Sequence, residues 1–490
     1  MLLSDLIVGL EAELSGDPAT EIAGLAYDSR DVGDGTLFFC IPGERADGHD
    51  FAAQAVQAGA SALVCERRLE LDVAQLDVTQ VCVADARAAM APVAAHFYGN
   101  PSSELDIVGI TGTNGKTTTA FLLRGILEAV GNSCGMLGTV KRIVGGVEEE
   151  VERTTPEAID LQRDLRRMVD AGDRACAMEV SSHALILHRA DRVGFDIGVF
   201  TNLTQDHLDF HADMEEYFAA KRRLFDLAEH AVINVDDEWG RRLTREIRID
   251  GSTFSAAGEP ADFRAVDVSY DATGAHFRLV APDGEAMVRM PLPGEFNVAN
   301  ALAAIAAARN LGVEMAAAVE ALAAAERVPG RFEPVDGGQS FAVLVDYAHT
   351  PDSLENALRA ARQLTAGRLI CVFGCGGDRD RDKRPLMGRA AAELSDLALV
   401  TSDNPRSEDP QAIIDEILAG VGEGAAGVEA EPDRRRAIAL ALAAAGPGDT
   451  VLIAGKGHEQ GQEFEGGRKL PFDDRQVALE ELERLPGGGQ

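Results

Sequence analysis

The sequence predicts an α/β protein of three domains, and three observations carry that prediction. Apolar strand-like runs alternate with helical patterns along most of the chain, the rhythm that builds parallel, doubly wound sheets. At 490 residues the chain is too long for a single hydrophobic core. Two stretches, Tyr98-Gly99-Asn100-Pro101 and Arg327-Val328-Pro329-Gly330-Arg331, carry the Gly and Pro that mark turns and linkers between domains.

Residues 1–100 read as a small α/β domain. Strand-like segments at 36–40 and 61–65 flank a helical pattern at 51–59. The opening MLLSDLIVGLEAEL reads as an amphipathic helix; it lacks the basic stretch and apolar core of a signal peptide. Residues 101–330 form the central domain. It opens with an apolar strand at 106–110, a Gly-bearing loop at 111–117 and a helix to about 130. Buried-strand patterns recur at 175–179, 197–200 and 231–234, and an Ala-rich helix at 297–310 closes the unit. Residues 331–490 repeat the rhythm, with strands at 342–345, 369–373, 397–401 and 451–454, which predicts a Rossmann-like third domain.

Composition narrows the function. With 46% hydrophobic and 26% charged residues the chain reads as globular rather than disordered. A formal net charge of −35 argues against nucleic acid or anionic membranes as general partners. Any phosphate-bearing substrate must then be held by local cations and backbone N–H groups. No apolar run approaches the roughly 18 residues of a spanning helix, so membrane insertion is not expected. The seven Cys show neither CxxC nor zinc-type spacing, which fits reduced thiols in the cytoplasm.

The loop Thr111-Gly112-Thr113-Asn114-Gly115-Lys116-Thr117 lies between a predicted strand and helix. Glycine there lets backbone N–H groups approach a triphosphate. Lys116 can pair with the β and γ phosphates and the Thr117 hydroxyl can ligate Mg²⁺. Its spacing departs from GxxxxGK[ST], so the motif supports nucleotide binding and leaves the class open. Two polar groups follow later strands: Glu179-Val-Ser-Ser-His183 and Thr201-Asn-Leu-Thr-Gln-Asp-His207-Leu-Asp209. Strand C-termini of a doubly wound sheet converge, which makes Glu179 and His207 candidate Mg²⁺ ligands. Taken singly, each is equally a satisfied polar residue at a strand end.

In family terms, TGTNGKTTT at 111–119 resembles the Mur ligases and their folylpolyglutamate synthetase relatives. The resemblance continues in order along nearly the whole chain. It implies ATP contacts at Gly112, Thr113, Asn114, Gly115, Lys116, Thr117, Thr118, Asn297, Asn300, Arg331 and Asp346, and a catalytic role for His349 beside Lys116, Glu179 and His207. It also implies that Lys221, in Tyr217-Phe-Ala-Ala-Lys221, is carbamylated and helps to position magnesium. Contacts to a UDP-linked muramoyl dipeptide are implied at Tyr27, Ser29, Glu44, Arg45, Ala46, Thr154, Thr155, Ser181 and Arg189. One position departs, Leu187, where some relatives carry Gln.

Within the family, Asp403-Asn404-Pro405-Arg406 resembles the signature of the branch that adds meso-diaminopimelate, with further contacts implied at Arg379, Gly455 and Glu459. The physical logic is a second carboxylate on that amino acid, which an Arg fork binds bidentately; a lysine substrate would leave the guanidinium unpaired. The implied reaction is ATP-driven amide-bond formation in peptidoglycan precursor synthesis, with Mg²⁺ as cofactor, small-molecule partners only, and a monomeric chain. A lysine-adding relative and a folylpolyglutamate synthetase are the enzyme alternatives. A P-loop binding switch is the non-enzyme one, and it would release phosphate without a second substrate.

Overall fold

The computed structural model describes residues 1–43, 46–71, 78–151, 153–271, 274–422 and 427–485. Three large sheets and one two-stranded ribbon, Gly461–Phe464 with Arg468–Pro471, organise them. The first runs Ala12–Ser15, Thr79–Val83, Ala60–Cys65, Thr36–Phe39, Gly24–Ala26 in spatial order, parallel except for its first pair. The second has eleven strands around a parallel centre in which Asp106–Thr111 lies between Ala175–Glu179 and Phe195–Phe200. The third has six, with Ala342–Asp346, Thr450–Ala454, Leu369–Phe373 and Leu397–Val400 side by side and parallel.

The central strands are apolar along their length because both faces are covered. On one face the helix Lys116–Ala129 packs against the Ala-rich helix Glu295–Asn310, whose residues Ala301 to Ala308 are wholly buried. Their small side chains let the two helices approach closely. The other face buries Leu161, Leu165 and Met168 of the helix Ala158–Ala171 together with Phe195, Phe218 and Phe225. Two cores thus clamp the strand that ends in the Gly-bearing loop, and its position becomes rigid.

Several sequence expectations shift. The opening helix spans only Leu3–Leu6, and the segment expected to continue it contains the strand Ala12–Ser15. That strand pairs antiparallel with Thr79–Val83, between Gly9 and Gly16 at φ 81 and 120, so sheet pairing overrides a short amphipathic pattern. The central sheet is not wholly parallel. An antiparallel meander, Phe263–Asp271, Gly274–Ala281 and Gly284–Met290, extends one side, and the hairpin Arg142–Val144 with Val147–Glu149 extends the other. No helix among the described residues is long and apolar enough to cross a membrane.

Candidate active site

The loop after Asp106–Thr111 is shaped by close approach. A Cβ at Gly112 would lie 1.9 Å from Thr201 Oγ1, and one at Gly115 would lie 2.3 Å from Asn300 Oδ1, so only glycine fits at either position. Gly115 caps the helix Lys116–Ala129, whose first turn faces the loop. Lys116 folds back onto the loop, its ammonium donating to Gly112 O at 2.9 Å and Thr113 O at 2.8 Å. Burial lowers its pKa, against the pull of Glu179 and Asp206. Beside the loop lies a cavity of about 380 Å³ lined by Asn114, Gly115, Thr118, Phe254, Phe296, Asn300, Arg331 and Asp346. Arg331 Nη2 donates to Thr117 Oγ1 at 3.2 Å, and Arg331 stacks 4.7 Å from the Tyr347 ring centroid. Asn297 is tied to Pro293 O at 2.7 Å and contacts Asn300 at 3.5 Å. Asp346 spends both oxygens on backbone N–H groups, Phe332 at 2.7 Å and Ala348 at 2.8 Å. Burial raises its pKa.

Glu179 ends its strand buried, accepting from Thr139 N at 2.8 Å and Thr139 Oγ1 at 3.1 Å. His207 adopts left-handed backbone, φ 56, in the loop after Phe195–Phe200, and burial pulls its pKa down to about 3 despite Asp206 at 3.4 Å. Its imidazole is therefore neutral at physiological pH. Lys221, fully buried on the helix Met214–Arg222, donates to Gly112 O at 2.8 Å and rests 4.5 Å from the Tyr217 ring centroid. Burial, then the nearby Lys116, drives its pKa well below normal. Among the described residues no three His, Cys, Asp or Glu side chains converge as a ready-made metal site. His349 anchors Nδ1 at Tyr347 O, 2.8 Å, and holds Nε2 3.9 Å from Asp206.

A larger cavity, about 1310 Å³, opens beside this group. Thr154, Thr155, Ser181, Arg189 and His207 line one side, and Asn404, Arg406 and Glu459 line the other. Thr155 Oγ1 donates to Glu179 O at 2.9 Å, and Ser181 Oγ caps the helix Ser182–Ile186, so strand-end geometry sets both hydroxyls. Arg189 is held by Glu157 at 2.8 Å. Tyr27 lies elsewhere: it donates to Asp160 Oδ2 at 2.7 Å in a neighbouring cavity of about 390 Å³ that shares Thr154 and Arg153 with the large one. Ser29 starts the short turn Ser29–Asp31 and Ala46 is exposed, both outside these cavities. Glu44 and Arg45 lie outside the described residues.

At the far end, Arg406 also adopts left-handed backbone, φ 50, and its guanidinium is fixed by Glu463 at 2.9 Å and Gly377 O at 2.7 Å. Arg379, exposed, flanks the same Gly376 that Arg406 touches. Buried Arg384 holds this loop pair together, bonding Glu408 through two nitrogens and Gly376 O at 3.2 Å. Pro405 O packs against Gly377, and Gly455 leaves room for Asp403, whose Oδ2 would lie 2.6 Å from a Cβ there. Gly455 N in turn donates to Asp346 O at 3.1 Å, joining the amino-acid end to the nucleotide end.

Sequence reasoning passed over Asp206, Lys383, Lys456 and Glu463. Asp206 is buried among His207, His349 and Lys383, the last at 3.8 Å; burial alone would raise its pKa, and the attraction of these neighbours outweighs it and holds the carboxyl below the usual range. Its place inside the polar string 201–209 was the only signal available.

Comparison with known proteins gives the family. The model of the Mur ligase middle domain matches residues 110–308, that of the Mur ligase glutamate ligase domain matches 330–457, and that of the Mur ligase family catalytic domain matches 21–98. The UDP-N-acetylmuramoyl-L-alanyl-D-glutamate–2,6-diaminopimelate ligase of Syntrophomonas wolfei is 47% identical, covering 98% of this chain and 99% of that protein. The protein of the same description from Clostridioides difficile is 45% identical over 99% of this chain and 100% of its own. A solved structure of a ligase with that description superposes with a TM-score of 0.68 at 31% identity, covering 99% of each chain. The chain belongs to the Mur ligase family.

Proposed function

We propose that the chain joins meso-diaminopimelate to the D-glutamate of UDP-N-acetylmuramoyl-L-alanyl-D-glutamate, using ATP and releasing ADP and phosphate, in peptidoglycan precursor synthesis. The observation that carries this reading is one continuous cavity lined by Arg189 and His207 at the nucleotide side and by Asn404, Arg406 and Glu459 at the other. A carboxyl energised beside Lys116 is then within reach of an amine held beside Glu459.

The substrate carboxylate attacks the γ-phosphorus and ADP leaves. The neutral amine adds to the acyl phosphate, the tetrahedral intermediate collapses, and the amine's surplus proton leaves with the phosphate. Lys116 and Arg331 neutralise charge that grows on the phosphoryl oxygens, while the cavity walls supply orientation. No side-chain nucleophile is needed. Arg406 and Glu459 suit the distal carboxylate and an ammonium, which favours diaminopimelate over lysine.

The residues that would hold Mg²⁺ are Glu179 with its carboxylate, His207 with a neutral imidazole, Thr117 with its hydroxyl and Lys221 as a carbamate, a donor set of oxygens with one nitrogen that suits this cation. When bound, it supplies charge neutralisation at the phosphates. The lowered pKa of Lys221 raises the share of neutral amine able to add to CO₂; the adduct loses a proton to solvent and leaves a carbamate anion at that position. Tyr27, Ser29, Glu44, Arg45 and Ala46 are assigned to the UDP end, Asp346 to the ATP ribose and Arg379 to diaminopimelate. The reaction is assigned to the cytoplasm and to a monomer. An amino-acid screen tests it: ADP release in the presence of the UDP-muramoyl dipeptide must depend on meso-diaminopimelate, and release with neither acceptor present would refute it.

A further inference from the structure

Lys456 follows Gly455 in the loop after the strand Thr450–Ala454 and is fully buried. Its ammonium donates to Asn404 Oδ1 at 2.9 Å and to Glu459 Oε2 at 2.8 Å. Asn404 closes the ring, since its Nδ2 donates to the same Glu459 oxygen at 2.8 Å. Asn404 Oδ1 also accepts Glu463 N–H at 3.0 Å. Asn404 and Glu459 line the large cavity, whereas Lys456 stands behind its wall.

This ring sorts polarity. The Asn404 carbonyl is engaged by two donors, the Lys456 ammonium and the Glu463 N–H, which leaves the second Nδ2 proton to present forward. Glu459 spends Oε2 on Lys456 and Asn404, which leaves Oε1 as its free acceptor among the described residues. A buried ammonium without partners is costly, so a Lys at this depth needs both acceptors, and they in turn are pinned. We propose that Lys456 is a positioning residue that fixes Asn404 as a donor and Glu459 as a charged acceptor, so that the amino-acid end takes a substrate's carboxylate and ammonium in one fixed order. This rests on the ligase reading above.

The surroundings make Lys456 hard to replace. Glu459 is half-buried, which would raise its pKa, and Lys456 outweighs that and lowers it. The other groups that face Glu459 are Asn404, His458, His349, Tyr347 and Arg434. Burial keeps His349 and His458 neutral, and Arg434 is already committed to Asp474. Among the described residues no other uncommitted cation faces Glu459 to hold it ionised.

The test uses the full chain with the UDP-muramoyl dipeptide and ATP saturating, for wild type, Lys456→Met, Lys456→Arg, Glu459→Gln and the double variant Lys456→Met/Glu459→Gln. Lys456→Met should raise KM for diaminopimelate about 10-fold or more, as expected for loss of a charge-assisted contact, with KM for ATP within about twofold. The acid limb of its kcat/KM for diaminopimelate should move to higher pH, and Lys456→Arg should recover part of the loss. Lys456→Met should cost less in the Glu459→Gln background than in wild type, because the carboxylate it holds charged is already gone and only its hold on Asn404 remains to be lost; should Lys456→Met fail to fold, Lys456→Arg carries the same comparison. An unchanged diaminopimelate KM, equal losses for all three substrates, an unmoved acid limb, or a Lys456 substitution that costs as much in the Glu459→Gln background as in wild type each overturns the inference. Wild type that forms product with no amino acid defeats the ligase reading itself and this inference with it; wild-type activity with a null Lys456 result defeats only the latter.

Discussion

Replacing Arg406 by Lys keeps the charge at the far end of the cavity and removes the fork. The backbone is undisturbed, because Arg406 N still donates to Glu463 O at 3.0 Å. In the native chain, Nε is fixed to Glu463 Oε2 at 2.9 Å and Nη1 to Gly377 O at 2.7 Å, so the guanidinium plane is set before any substrate arrives. Nη2 and the second Nη1 proton then form a ready pair for a carboxylate. A lysine has one nitrogen to serve Glu463, Gly377 and the ligand together. Losing one of two charge-assisted bonds costs about 1.5–3 kcal/mol. At about 1.4 kcal/mol per decade, that raises KM for diaminopimelate roughly 10- to 150-fold. Initial rates of ADP formation, varying diaminopimelate and then ATP, measure both constants, and the ATP value should stay within about twofold because Arg406 lines only the large cavity and not the nucleotide one. Equal rises in both constants, or an unchanged diaminopimelate KM, would refute the reasoning.

Other perturbations separate structure from chemistry. Arg434→Met strands Asp474, which is 0% exposed and bonded to Arg434 at 2.6 and 2.7 Å, so the urea midpoint should fall by the equivalent of about 3–5 kcal/mol. Arg434→Met/Asp474→Leu should recover much of it. Glu408 is drawn down to about 2, chiefly by its hydrogen bonds from Arg384. A depressed carboxylate contributes fully above its unfolded value and loses that contribution as pH falls through the folded one, so Glu408→Gln should flatten the loss of thermal stability below about pH 4.5, by about 1–2 kcal/mol after screening. Lys221→Ala should lower kcat by more than about 100-fold, the scale of losing a preorganised charge at phosphoryl transfer. Bicarbonate should restore activity to CO₂-depleted wild type and leave the variant unchanged.

How legible these features are in sequence follows from how local they are. The strands 175–179 and 369–373 appear as expected because buried parallel strands are continuous apolar runs. The meander 263–290 escapes notice because one of its faces is exposed, and alternating residues such as those of Gly274–Ala281 read weakly against charged neighbours. The phosphate loop is legible because its backbone shape is written in adjacent residues. The devices that position the site are not. Lys456 meets Asn404 across 52 residues, Arg331 meets Thr117 across 214, and Asn114 meets Asp352 across 238. Each is an ordinary polar residue until the sheets bring it to its partner.

The same separation of scales applies to charge. The chain carries 46 Lys and Arg against 81 Asp and Glu, whereas the large cavity is lined by six of the first kind and seven of the second. An anionic nucleotide sugar therefore approaches a repulsive molecule and enters a nearly balanced site. Screening acts on the first interaction far more than on the second, because the Debye length is about 30 Å at 0.01 M and about 8 Å at 0.15 M, while contacts inside the cavity span a few ångströms. Raising ionic strength across that range should thus lower KM for the UDP-muramoyl dipeptide while leaving kcat unchanged. A KM that climbs with salt would mean that exposed cations, rather than those inside the cavity, capture the substrate.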